Sequence, residues 1–372
     1  MGRTVVVVGG GYAGTMVAKA LDSLAEVTLV DPRDAFVNVS SSMRAVARSD
    51  WAHVPFFDYA TLLGRGRVIR DAVTSADPAA VTLAGGGRVE ADHLVLATGS
   101  SHRYPARPRQ ATTNAADAAD DLRATNEQLA RSGCVLILGA GPAGLELAGE
   151  IREAWPRKHI TLIDPSAHLL PGYLSDVRDE LLRQLKELDI DLRLQTTLTS
   201  PPPVPDATTS SFTVVTDAGE QIAADIWFRT FGSRPNTGYL ADGRLVELTE
   251  RHTVPVDEHL NVIGPVATYD HVYAVGDIAD LPAAKMATHA MVQARTVIDN
   301  LTAQLRGEQP SSIYTPASAE RILLPLGTRH GVGQLPTPDG GATPASVEEV
   351  VARKGADLFT ARFAALFDAA RT

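Results

Sequence analysis

A glycine-rich turn occurs twice in this chain, each time between an apolar run and a helical stretch, and nothing else restricts its fold as strongly. Thr4 to Val8 is the first run; it meets Gly9-Gly-Gly-Tyr-Ala-Gly14, a helical stretch reaches about Leu24, and a second run, Val27 to Val30, ends at Asp31. Uninterrupted β-branched runs suit parallel strands buried on both faces. In Gly9-x-Gly11-x-x-Gly14 the first glycine turns the chain sharply, and the second lets backbone approach a pyrophosphate at the helix N-terminus. The third lets the helix lie close to the sheet. Asp31 stands where a carboxylate accepts from ribose hydroxyls, about 20 residues on. Every part then returns: Cys134 to Leu138, Gly139-x-Gly141-x-x-Gly144, a helix to about Trp155, and His159 to Ile163 ending at Asp164. One such turn is weak evidence, whereas two in full strand–turn–helix context imply two dinucleotide-binding units. The expected class is α/β, with two Rossmann-like domains, the second inserted in the first, plus a C-terminal segment.

Between the units, Val68 to Val95 alternates short β-rich runs with turn signals, the pattern of a small antiparallel insertion. A buried strand from His93 to Ala97 then ends in Thr98-Gly99, and Asp117 to Arg131 reads as helix. Pro201 to Pro205 marks a surface loop, with a hairpin connection in the second unit. Val272 to Asp277 is another buried strand closed by Gly276-Asp277, followed by a helix from Ala284 to about Leu305. A Pro- and Gly-rich loop, Pro336 to Pro344, precedes a helical segment from Val347 to Ala370. The expected division is 1–108 with 236–312 for the first domain, 109–235 for the second, and 313–372 for the C-terminal segment.

Composition closes several routes. The formal net charge of -10 weighs against nucleic acid as a partner, because phosphate binding needs a basic face. No apolar run reaches the roughly 18 residues a bilayer span needs. The first residues lack the apolar core of a signal peptide, and Val6 stands where a myristoylation signal carries Ser or Thr. Cys134 is the only cysteine, which excludes an internal disulfide, a cysteine-ligated metal site and a redox cysteine pair. The expected compartment is the cytoplasm, and no metal is expected.

The stretches Val5–Gly14, Thr28–Arg48, His93–Ser101, Val135–Asp164, Val272–Ala290 and Gly331-Val-Gly-Gln334 resemble the two-dinucleotide flavoprotein reductase superfamily, in its apoptosis-inducing-factor-like branch. Lys285-Met286-Ala287 and Gly331 to Gln334 narrow the resemblance to ferroptosis-suppressor-type NAD(P)H:quinone oxidoreductases. It implies that the first unit takes FAD and the second a nicotinamide cofactor. Thr98, Gly99, Gly276 and Asp277 then mark where backbone passes the flavin and a carboxylate meets its ribityl hydroxyls. Arg107 stands in place of the family's flavin-proximal lysine, and Glu146 resembles that group's acidic partner. Apart from the resemblance, Glu146 also reads as an ordinary first-turn helix acid and Arg107 as a solvated loop arginine. His289 departs from the relatives and is a candidate proton relay, or a half-buried packing residue. Asp164 favours NADH over NADPH, since it accepts from a 2′-hydroxyl and repels a 2′-phosphate.

The implied acceptor is a quinone-like small molecule. Beside it stand a ferredoxin-type protein, a specialised metabolite oxidised by a tailoring enzyme, and a non-catalytic NADH sensor. Phe359, Phe363, Leu366 and Phe367 form an apolar stripe at helical spacing. It suits peripheral contact with a membrane, or packing on the flavin domain or a homodimer interface, and a polar face that is not strongly basic weighs for packing.

Overall fold

The computed structural model describes residues 3–282 and 284–368, so Met1, Gly2, Ala369 and Ala370 from the segments above lie outside the described residues. Thr4–Val8 lies inside a six-stranded sheet. Glu26–Asp31 and Arg67–Arg70 extend it on one side, and His93–Leu96, Thr268–Ala274 and Asn261–Ile263 on the other. All pairings are parallel except the last, with Val5 opposite both Val27 and His93. Val5 to Val8 are at most 2% exposed, which explains why the run shows no polar alternation.

Helices α1 (Tyr12–Leu21), α2 (Val39–Ala47), α3 (Ala115–Arg131), α4 (Pro142–Ala154), α5 (Ser175–Glu187) and α6 (Ala287–Leu305) pack on the sheets and on one another. Val5 and Val7 face α1 and α6, whereas Val6 and Val8 face the expected antiparallel insertion, Val73–Asp77, Ala80–Leu83 and Arg88–Glu90. The second sheet is wholly parallel, in the order Ile190–Arg193, His159–Ile163, Cys134–Leu138 and Ile226–Arg229. Its strands fall between the fourth and fifth strands of the first sheet, so the chain leaves one sheet, builds the other and returns. The hairpin Phe212–Val215/Gln221–Ala224 covers one face of it. Pro201 to Pro205 leads into that hairpin and does not form its turn, which is made at Thr216 to Glu220.

The C-terminal segment departs from its sequence reading. Ile322–Leu326, His330–Pro336 and Ala342–Ala345 form a three-stranded antiparallel sheet, so Pro336 to Pro344 is a tight turn and an edge strand. Edge pairing needs no alternating apolar face, and Ala342-Thr-Pro-Ala345 shows none. The single helix expected over Val347 to Ala370 is instead Val347–Val350, a wider turn at Val351–Gly355, and Thr360–Leu366. It breaks where Leu358 and Phe359 take φ of 51° and 64°. Phe363 and Phe367 turn inward against Phe36, with ring centroids 4.7 and 5.6 Å away, and are 1% and 0% exposed. Burying each ring contributes about 1.5–3 kcal/mol. Phe363 and Phe367 of the stripe therefore pack on the first domain, as the packing alternative expects, with Phe359 and Leu366 partly buried beside them. Among the described residues no helix is long and apolar enough to cross a membrane.

Candidate functional site

The two glycine turns have the same atomic construction. Gly9 has φ +99°, and a Cβ there would sit 2.6 Å from the Ala97 carbonyl oxygen; Gly139 repeats the conformation at φ +108°. A Cβ on Gly14 or Gly144 would come within 1.9 or 2.0 Å of the Gly9 or Gly139 carbonyl oxygen, so helix and turn could not close. Gly11 and Gly141 differ, because a Cβ on either meets nothing within 4 Å. Those open faces leave room for a diphosphate to reach the helix N-terminus. Each strand-end carboxylate ties its turn in place. Asp31 accepts from the Gly10 and Arg33 backbone N–H groups at 2.7 and 2.9 Å. Asp164 accepts from those of Ala140 and Ser166 at 2.7 and 2.8 Å. Burial lifts the Asp31 carboxyl above its usual range, against those two hydrogen bonds and the Arg33 and Arg107 charges.

A cavity of about 500 Å³ runs from the first turn to the N-terminus of α4. Gly9, Gly11, Asp31, Thr98, Gly99, Gly276, Asp277, Lys285, Met286 and Ala287 line it. Arg107 and Glu146 also line it. Gly14 stands behind the first turn. Gly139, Gly141, Gly144 and Asp164 belong to the second turn, which reaches the cavity only through Pro142 and Ala143.

Arg107 and Glu146 do not pair. Glu146 on α4 accepts from Lys354 Nζ at 2.7 Å, and Lys354 also donates to the Leu323 carbonyl oxygen at 3.0 Å. Arg107 lies instead toward the diphosphate end, where its charge acts on Asp31, Arg33, Tyr59 and Asp277. Its Nε is buried without a hydrogen-bond partner. His289 is absent from the cavity lining, and its Nε2 lies 3.4 Å from Glu320 Oε2. The proton-relay reading of His289 is corrected accordingly, since α6 turns that ring toward the C-terminal segment.

Several functional side chains carried no sequence signal. Lys354 sits on the wider turn of a segment read as continuous helix. Arg44 is fully buried and bidentate to Glu150, one helical turn beyond Glu146, with its Nη2 2.8 Å from Glu150 Oε1. Arg44 also donates to the Gly355 and Ala356 carbonyl oxygens at 2.7 and 3.1 Å, and so braces the turn bearing Lys354. The spacing of Glu146 and Glu150 was visible, but their partners lie far along the chain. At the cavity lining, Ser100 Oγ donates to Asp277 and lies 3.0 Å from His102 Nε2. Burial raises the Asp277 carboxyl, but hydrogen bonds from His102 and Ser100 hold it below the usual range. Burial pulls Lys285 below the usual lysine range while its Nζ donates to the Ala279 carbonyl oxygen at 2.8 Å.

These residues fit an FAD. The open face of Gly11 and the unpartnered Arg107 Nε suit its diphosphate, Asp31 its adenosine ribose, and Asp277 its ribityl hydroxyls. Residues 3–294 match the family described as Pyridine nucleotide-disulphide oxidoreductase. The chain is 31% identical over 343 residues to ferroptosis suppressor protein 1 of Taeniopygia guttata, covering 89% of this chain and 88% of that one. It is 26% identical over 350 residues to apoptosis-inducing factor homolog A of Dictyostelium discoideum, covering 90% and 85%. Among solved structures it resembles the sulfide:quinone oxidoreductase of Aquifex aeolicus, with TM-score 0.73, 18% identity, and 99% and 92% of the two chains covered.

Proposed function

Because the chain belongs to the pyridine nucleotide-disulphide oxidoreductase family and is an NAD(P)H-dependent flavoprotein, we propose that it passes two electrons from NADH, through FAD, to a quinone-like acceptor. The balance is one NADH, one proton and one quinone consumed for one NAD⁺ and one hydroquinone. A redox-active cysteine pair is closed to it, since Cys134 has no second cysteine. When bound, the isoalloxazine supplies the two-electron relay.

The observation that carries this reading is the Glu146–Lys354 pair on the cavity wall. Glu146 comes from the second unit's helix and Lys354 from the C-terminal segment, so the pair forms only where the two meet. Two of the three Lys354 donors are used by Glu146 and Leu323, and the third is left for a group in the cavity. A fixed cation there stabilises negative charge gained on reduction and orients the ring that receives hydride. Glu146 holds the ammonium in place. Loss of such a charge-assisted contact costs roughly 1.5–3 kcal/mol, or about tenfold to hundredfold in rate. Lys354→Met should therefore slow flavin reduction by NADH by that factor while flavin stays bound. Anaerobic stopped-flow mixing is the test, and rates within about twofold of wild type remove the pair from the mechanism.

Donor choice follows from the second turn. Arg193, next to Asp164 across the sheet, is engaged by Asp191 at 2.8 Å and Glu220 at 3.1 Å. Lys158 donates to the Leu129 carbonyl oxygen at 2.6 Å, at the opposite end of its strand. Among the described residues no cation forms an ion pair with the Asp164 carboxylate, so NADH should be preferred to NADPH. Asp164→Ala should narrow the preference by about tenfold or more, by removing a like-charge repulsion. Equal kcat/KM for the two donors in wild type contradicts the assignment.

A further inference from the structure

Arg295 on α6 and Arg362 on the last helical turn both line the cavity, as does Phe359. Among the described residues neither makes an ion pair or a side-chain hydrogen bond. Three carboxylates of the C-terminal segment are engaged elsewhere. Glu349 holds Arg353 at 2.5 Å, Asp368 holds Lys19 at 2.6 Å, and Asp357 accepts from the Phe359 and Ala361 backbone N–H groups. Asp299, one turn along α6, makes no ion pair with Arg295. Two guanidinium groups thus share one cavity wall without a counterion, in a chain whose net charge is -10. Burial and the neighbouring Arg295 charge both pull Arg362 below the usual guanidinium range. Like charges left together cost stability unless an anion sits between them.

The wall leading to them is apolar. Phe359 takes a left-handed backbone conformation, and Lys354 Nζ lies 6.0 Å from the centroid of its ring. Arg362 donates its backbone N–H to the Phe359 carbonyl oxygen, one turn further on. Met291, 5% exposed, and Val292, 54% exposed, continue the surface on α6. A planar ring seated against Phe359 therefore shares one cavity lining with Arg295 and Arg362.

We propose that the acceptor is an anionic quinone, a ring bearing a carboxylate or comparable acidic substituent that Arg295 and Arg362 bind while the ring lies against Phe359. This rests on the quinone-reductase reading and narrows its substrate class. The site is a cavity wall and not a flat patch, so it suits a small acidic molecule better than the acidic face of a protein. Guanidinium groups pair with such anions through charge-assisted hydrogen bonds.

The test compares 1,4-naphthoquinone with its 2-sulfonate as acceptors for the NADH-reduced holoprotein. Taking variant-to-wild-type ratios cancels the difference in quinone potential. The double variant Arg295→Gln/Arg362→Gln should lower kcat/KM for the sulfonate about tenfold more than for the parent quinone, mainly through KM. Arg295→Lys/Arg362→Lys should keep most of the preference, and high salt should erode it in wild type. Equal effects on both quinones overturn the inference and leave the quinone-reductase reading standing. Reduction of neither quinone by wild type retires that reading and the inference with it. Slower transfer to an acidic 2Fe–2S ferredoxin with an unchanged sulfonate ratio also overturns it, in favour of protein docking.

Discussion

Gly11→Val is expected to give a folded protein that holds no flavin. The two outer glycines of the first turn are required by the protein itself, since a Cβ on Gly9 or Gly14 drives into backbone at 2.6 or 1.9 Å. Gly11 is different. Nothing lies within 4 Å of its would-be Cβ, and its backbone lacks the left-handed φ that disfavours side chains. A valine Cβ there meets no protein atom within 4 Å, and the side chain takes up the space through which a diphosphate reaches the N-terminus of α1. Far-UV circular dichroism should match wild type, while the 450 nm absorbance of the purified protein should fall to background. Full flavin occupancy in the variant would falsify the assignment of FAD to this turn. Gly14→Val serves as the contrast, because it should lose folded yield together with flavin.

The second large effect is expected at Arg44. Arg44→Met leaves the Glu150 carboxylate, 4% exposed, without its only cation among the described residues. Removing one partner of a buried pair costs about 3–5 kcal/mol, while replacing both by apolar groups is often neutral. The single variant should lose on the order of 10 °C in apparent Tm, and Arg44→Met/Glu150→Met should regain most of it. Burial already raises the Glu150 carboxyl, and only Arg44 opposes it by hydrogen bond and charge. Without Arg44 the folded-state value rises further above the unfolded one. The deficit should then be smallest at low pH and grow as pH rises through that value. Differential scanning calorimetry at two pH values checks both points, and a single variant within about 2 °C of wild type contradicts them. Because Arg44 also holds the Gly355 and Ala356 carbonyl oxygens, the same variant should disturb Lys354 and slow reduction by NADH.

Both glycine turns, their carboxylates and the strands that feed them were legible in the sequence because their chemistry is local. A strand, a turn of fixed backbone shape and a helix N-terminus are written in contiguous residues, and apolar runs declare burial on both faces. The antiparallel insertion was legible for the same reason, through turn residues at short spacing. What lay beyond was decided by packing. Glu146 has its cation 208 positions away, on Lys354, because Gly149 lets α4 lie against Ile322–Leu326 and Arg44 pins the turn behind it. Arg107, the nearer candidate in sequence, points to the diphosphate end of the cavity. The aromatic stripe shows an apolar face, but no local pattern states what covers it; Tyr12, Phe36 and Phe57 do. His289 turns away from the site because its place on α6 brings it to Glu320, while Thr288 and Ala290 beside it line the cavity. Helical spacing gives the angle between two side chains on one helix, and only the packed structure decides what each of them meets.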